Sequence, residues 1–233
     1  MKPHHIFILI VLMFLTSSCV YYPYLLDVPL INERWDTRIE GGVTIPTPSA
    51  HITVSHGLTD KVAIQAAGSV GVDDSYYTQV ASGIFKSLPN RKVMELYGGF
   101  GYGYGDAYND AKPGNLYGNY QVCFAQFNYG KINGNFKNID YGIGIKAGYL
   151  HTNMTDRNYY DYYSDYSSYN IYKDDCLLIE PVCFLRFGGK RLKFQTMAGG
   201  CFIIKFTNTD KYFPYNHFNL GFGMSYSLGG KIK

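Results

Sequence analysis

From about Thr37 onward the chain alternates apolar and polar residues with a period of two, the pattern of strands that hide one face. The last stretch is the most regular. Phe218, Leu220, Phe222, Met224, Tyr226 and Leu228 share one face, and His217, Asn219, Gly221, Gly223, Ser225 and Ser227 the other. It runs about twice as long as a usual globular strand. The same alternation aligns Ile39, Val43 and Ile45; Val62, Ile64, Ala66 and Val70; Met94, Leu96, Phe100 and Tyr102; Ile139, Tyr141, Ile143 and Ile145; Leu177, Ile179, Cys183 and Leu185; and Phe194, Phe202 and Ile204. Two stretches are less regular. Residues 78–86 mix their faces, and 116–130 read as changing phase near Ala125, as a bulge would cause.

The face opposite the apolar one carries charges of both signs: Arg38, Glu40, Lys61, Glu95, Asp140, Lys146, Glu180, Arg186, Lys193 and Lys205. This describes a soluble β-sandwich with charges in water, and equally a barrel with lipid outside and a polar lumen. The connections favour the barrel. Short turns at 58–61, 88–91, 130–137 and 188–189 alternate with connections at 46–48, 71–77, 106–115, 153–174 and 208–215, most of them longer. Membrane barrels show that asymmetry between their two sides. The expected fold is therefore all-β: a single antiparallel up-and-down transmembrane β-barrel of about ten strands, or eight if the first pair is misread, with both ends periplasmic.

The N-terminus adds export. Lys2, an apolar run from Ile6 to Leu15 and then Thr16-Ser17-Ser18-Cys19 form a secretory signal too short to span a bilayer. Its end resembles a bacterial lipobox, with Leu15 one place earlier than the usual pattern. Residues 1–18 are expected to be the signal, with Cys19 a lipid anchor or simply the first mature residue. Residues 19–36 then form a periplasmic arm held near the inner leaflet, and 37–230 the barrel. Charged residues make up 17% of the chain, where soluble domains carry about 25%. The net charge of +3 is too small and dispersed for nucleic-acid binding.

The final strand also carries Asn219, Gly221, Met224 and Tyr226 in the spacing of a barrel-assembly signal, followed by Leu228 and a short tail. With the alternation and turns, the mature chain resembles the small outer-membrane barrels of Gram-negative bacteria, the OmpA/OmpX/OmpW-like group. The resemblance implies residence in the outer membrane at the cell surface, with outer-membrane lipid as a partner.

In a small barrel the inward charges are expected to form paired, hydrated networks that plug the lumen, a narrow conduit being the alternative. A turn centred on Gly188-Gly189 would set Cys176 opposite Cys201, a possible disulfide in an oxidising compartment. Cys183 is expected to face lipid. His51, His56, His151 and His217 are scattered; only His151 and His217 lie near external strand ends, where a lipid-modifying enzyme would need them. No spacing joins them to a serine and an acid, so the chain is expected not to be an enzyme. No cofactor or metal is expected, and Asp156, Asp161, Asp165, Asp174 and Asp175 lack calcium-loop spacing.

The most distinctive segment is 158–172, with Tyr159, Tyr160, Tyr162, Tyr163, Tyr166, Tyr169 and Tyr172 among Asp, Ser and Asn. Tyrosine gives large contact area at low entropic cost, as in antibody loops. The segment is expected to be an external recognition loop for a glycan or protein, or a hairpin whose tyrosines pack on one another at headgroup level. The functional expectation is a structural or surface-binding barrel, with a lipid-modifying enzyme or a narrow solute channel as alternatives.

Overall fold

The computed structural model describes residues 27–46, 48–71, 74–107, 116–133, 138–156, 170–207 and 215–229. The strands are β1 (Thr37–Ile45), β2 (Ser49–Gly57), β3 (Val62–Gly71), β4 (Tyr76–Leu88), β5 (Lys92–Ala107) and β6 (Leu116–Lys131). β7 (Ile139–Asp156), β8 (Asn170–Gly188), β9 (Leu192–Gly200), β10 (Phe202–Lys205) and β11 (Phe218–Leu228) follow. Each strand pairs antiparallel with its neighbours, and β11 pairs with both β9 and β1, so the sheet closes on itself.

β9 and β10 are one pass. Both pair with β8 in one continuous register, Val182 opposite Gly199 and Ile179 opposite Phe202. The pairing lapses between them, where Pro181 has no N–H to give to the ladder. The result is a closed antiparallel barrel of ten passes, and the eight-strand version is excluded.

The alternation separates two environments. Outward residues such as Val80, Ile143, Phe194, Phe202 and Phe222 are about half exposed, forming a belt around the ring. Inward residues such as Glu40, Glu95, Asp140, Lys146 and Arg186 are sealed from solvent. Charge inside and apolar side chains outside is the reverse of a soluble sandwich, and hydrocarbon is the medium that satisfies it. Lys61 departs from expectation: it lies exposed in the turn before β3 rather than in the lumen.

Three local expectations are corrected. No bulge occurs at Ala125, because β6 keeps unbroken register with both neighbours, Gly98 and Ala147 lying opposite Ala125. The apparent phase change is chemical. Leu116, Tyr120, Val122 and Phe124 point inward in the upper part of β6, and Gln126 and Asn128 in the lower. Residues 78–86 also alternate cleanly, with Gln79, Ala81 and Phe85 inside. Apolar residues on the inner face had hidden the period.

The third correction is the β8–β9 turn. Gly188 lies opposite Lys193, and Gly189 N–H donates to Leu192 O at 2.8 Å, so the tip is Lys190-Arg191. A turn at Gly188-Gly189 would have set Arg186 against Arg191 and Phe187 against Lys190. The observed register sets Arg186 opposite Gln195 and Phe187 opposite Phe194, whose rings lie 6.0 Å apart. Like charges directly opposite each other destabilise a sheet, and aromatic pairs stabilise it.

Inward glycines make room for inward rings. A Cβ at Gly101 would lie 2.0 Å from Tyr77 Oη, and one at Gly103 would lie 2.3 Å from Tyr120 Cζ. The two rings stack at 5.8 Å across the upper lumen.

Candidate functional site

The lumen is closed at two levels. The lower level is ionic and crosses between strands that are not neighbours. Arg186 of β8 meets Glu40 of β1 at 2.5 Å, and both side chains are fully buried. Asp140 of β7 takes Lys193 of β9 at 2.5 Å and Arg38 of β1 at 3.8 Å. Beside these crossings, Glu95 accepts from its register neighbour Asn128 Nδ2 at 2.9 Å. Above this floor Lys146 pairs with Glu180 at 2.5 Å, and its ammonium lies 5.6 Å from the Tyr77 ring and 5.3 Å from that of Phe124. The second level is the aromatic and aliphatic layer of Tyr77, Tyr120, Val122, Phe124, Leu150 and Leu178. At the external mouth Asp174 accepts from Lys205 Nζ and Thr207 Oγ1, each at 2.7 Å.

The N-terminal arm completes the closure. Residues 27–31 stand inside the lumen, a correction to the arm expected beneath the barrel. Asp27, Val28, Leu30 and Ile31 are buried. Ile31 N–H donates to Glu95 Oε1 at 2.6 Å, and Arg186 Nη2 donates to Val28 O at 2.6 Å. Gln126 Nε2 donates to Asp27 O at 3.1 Å, and Thr53 Oγ1 to Asp27 Oδ2 at 2.5 Å. His51 Nε2 lies 3.6 Å from Asp27 Oδ1. The physical reason is space. Barrel diameter grows with strand number, and about eight strands give an interior that side chains alone can fill. Ten passes leave a gap among polar walls, and an extended segment with its own amide and carbonyl groups fits it. Outside the mouth, Trp35 is 58% exposed, with Arg34 over its ring at 4.7 Å and His56 at 5.7 Å.

The other candidate residues fall as follows. Cys19 and Tyr159, Tyr160, Tyr162, Tyr163, Tyr166 and Tyr169 lie outside the described residues. Tyr172 is corrected: it belongs to β8, opposite Met154, and packs half-buried against the inner apolar cluster rather than standing out as a contact residue. The strands reach Asp156 and Asn170, so the connection is shorter than 153–174. Cys176 and Cys201 both point inward, but they are buried thiols and not a bridge. Cys176 lies opposite Lys205, and the same register sets Cys201 opposite Glu180, four positions away. Four positions are about 13 Å along a strand, twice the usual Cα separation of a disulfide. Cys183 is exposed on the outer face, as expected.

The histidines separate into distinct settings. His51 is in the lumen, His56 shares a 2.7 Å contact with Thr37 Oγ1, and His217 packs edge-on against Tyr215 at 4.5 Å. Among the described histidines, His151 alone meets an acid on the outer face. Its Nδ1 lies 2.7 Å from Asp175 Oδ1, which also accepts from Tyr149 Oη at 2.5 Å. Sequence spacing missed this pair because the register across a long connection cannot be read from residue numbers. Among the described residues, no cluster of His, Cys, Asp or Glu is arranged to hold a metal ion.

No family model and no curated protein matches the chain. Solved structures give distant likenesses of architecture. The N-terminal β-barrel domain of Pseudomonas aeruginosa OprF is 14% identical, over 84% of this chain and 98% of that one, with a TM-score of 0.38. The KdgM porin in complex with disordered oligogalacturonate is 10% identical over 83% and 99%, with a TM-score of 0.40. The barrel itself is established by the strand register described above.

Proposed function

We propose that this chain is an outer-membrane barrel that does not conduct and works through its external surface as a structural or surface-binding protein. The observation that supports the reading most strongly is the lumen, crossed by the Arg186–Glu40 and Asp140–Arg38 pairs and occupied by residues 27–31. The outer membrane follows from the apolar belt, the alternation of short and long connections and the expected export signal. Purified barrel inserted in a planar bilayer is expected to give no steady conductance steps. Reproducible single-channel openings would instead support the conduit.

The Tyr-rich connection is the proposed recognition element, with an extracellular glycan or protein as its ligand. Deleting 158–169 is expected to abolish binding of the barrel to a glycan array while leaving it folded; unchanged binding would remove the segment from the account. The lipid-modifying enzyme has one observation in its favour, the His151–Asp175 contact. Against it, the residues that the register places around His151 include no serine. The thiol of Cys123 stands opposite Tyr149 rather than His151. A non-catalytic barrel is the better account.

A further inference from the structure

On the outer face of β6, β7 and β8 the change from apolar to polar falls along one register row. Cys123, Tyr149 and Leu177 lie side by side. The next outward row toward the exterior is Gln121, His151 and Asp175, and the one beyond is Asn119, Asn153 and Lys173. Below Tyr149 the outward residues of β7 are apolar down to Ile139. Those ten steps span about 33 Å of strand, or roughly 25 Å of height at the usual barrel tilt, which is the thickness of the apolar band. The His151 row is therefore the first above the hydrocarbon.

A second feature lies on the same wall. An apolar groove of about 600 Å³ opens on the outer surface, walled by Phe127, Ile143, Ile145, Phe202 and Phe218 over Pro181, Ala198 and Gly200. Small residues are register neighbours at its floor, Cys183 standing opposite Ala198. Between groove and polar rows stand Ala125 and Ala147, also register neighbours and also small. An apolar path thus leads from the groove over Ala125 and Ala147 to the row of Cys123 and Tyr149, directly below His151. From Pro181 to Asp175 is six steps, about 20 Å of strand, comparable to the reach of an acyl chain below its headgroup.

We propose that this wall holds one glycolipid of the external leaflet, an acyl chain in the groove and its saccharide headgroup on the His151 rows. The inference rests on the outer-membrane reading above. The headgroup chemistry follows from the residue types. The amides of Gln121, Asn119 and Asn153 each offer a donor and an acceptor, which suits paired sugar hydroxyls. Asp175 uses Oδ1 for both His151 and Tyr149, leaving Oδ2 for a ligand hydroxyl. With Nδ1 engaged by Asp175, Nε2 is the imidazole atom left for a ligand. Lys173 supplies a cation for an acidic substituent on the sugar. Elsewhere on the rim the chemistry differs: Tyr76 and Tyr104 stack at 5.9 Å and present ring faces rather than amides.

Native mass spectrometry of the full barrel in detergent tests the site, with lipopolysaccharide, phosphatidylglycerol and deacylated lipopolysaccharide saccharide as probes. The wild type is expected to retain one lipopolysaccharide. The double variant His151→Ala/Asn153→Ala and the groove-filling Ala198→Phe should each lower that occupancy about tenfold, with His217→Ala unchanged. Equal retention of phosphatidylglycerol, equal binding of the deacylated saccharide, or unaltered occupancy in both variants would overturn the site. Heat-modifiable gel mobility keeps the outcomes apart. A barrel that stays folded in detergent but binds no glycolipid defeats this inference alone, whereas a protein released into aqueous buffer defeats the outer-membrane reading.

Discussion

Arg186→Met is expected to destabilise the barrel by about 3–5 kcal/mol, the typical cost of removing one partner from a buried ion pair. Arg186 is fully buried, with Nη2 2.5 Å from Glu40 Oε1 and 2.6 Å from Val28 O, and its Nε donates to Gln195 Oε1. A methionine of similar length fills much of the volume but leaves the Glu40 carboxylate without its counter-charge. It also frees the Val28 carbonyl of the arm. Ser225 Oγ, which donates to Glu40 at 3.1 Å, does not replace a full charge. The double variant Arg186→Met/Glu40→Met should recover most of the loss, since apolar pairs often substitute for buried ion pairs at little cost. Urea unfolding in detergent micelles, followed by gel mobility, measures both. A single-variant cost below about 1 kcal/mol, the range of exposed pairs, would show that the floor of the lumen is hydrated rather than closed.

The outer face was legible residue by residue because lipid imposes one rule. Every side chain that meets hydrocarbon must be apolar or small, so the outward set is nearly uninterrupted on β7, β8 and β11. Turn asymmetry then gave the number of passes. The inner face follows no comparable rule. It is ionic near Arg38 and Asp140 and aromatic near Tyr77 and Phe124, and so 78–86 and 116–130 appeared irregular. The β8–β9 register differs from the expected one because Gly188-Gly189 has the composition of a turn, while a turn there would set Arg186 against Arg191. Only a turn at Gly188-Gly189 would set Cys201 opposite Cys176. Parity is the same in both registers, since the shift preserves which face each residue takes.

The functional features were less legible, each for a stated reason. Val28, Leu30 and Ile31 make no periodic pattern, and their partners Arg186 and Glu95 are remote in sequence, so the plug has no local signal. His151 and Asp175 were each visible as polar residues near strand ends. Their contact depends on register across a connection whose length cannot be read from composition. Tyr172 shares its residue type with the tyrosines of 159–169, but strand parity turns it inward.

The expected hydrogen exchange of the arm has the larger range of outcome and bears on the whole account. An extended segment beneath the barrel would exchange its amides at the rate of an unstructured chain. Inside the lumen, Ile31 N–H is hydrogen-bonded to Glu95 Oε1 and sealed by the surrounding walls. Its exchange then requires an opening that breaks the Arg186–Val28 and Gln126–Asp27 contacts as well. Openings of buried elements approach the global unfolding free energy. Protection of at least about a thousandfold follows, which corresponds to roughly 4 kcal/mol at about 1.4 kcal/mol per tenfold.

The most direct test is therefore hydrogen–deuterium exchange, read by mass spectrometry on the peptide covering 27–35 in the detergent-folded barrel. Slow exchange of the Val28, Leu30 and Ile31 amides, comparable to β6 and β7, is the result expected of a barrel closed by its own N-terminal segment. Complete exchange within seconds, with the strands still protected, would contradict it.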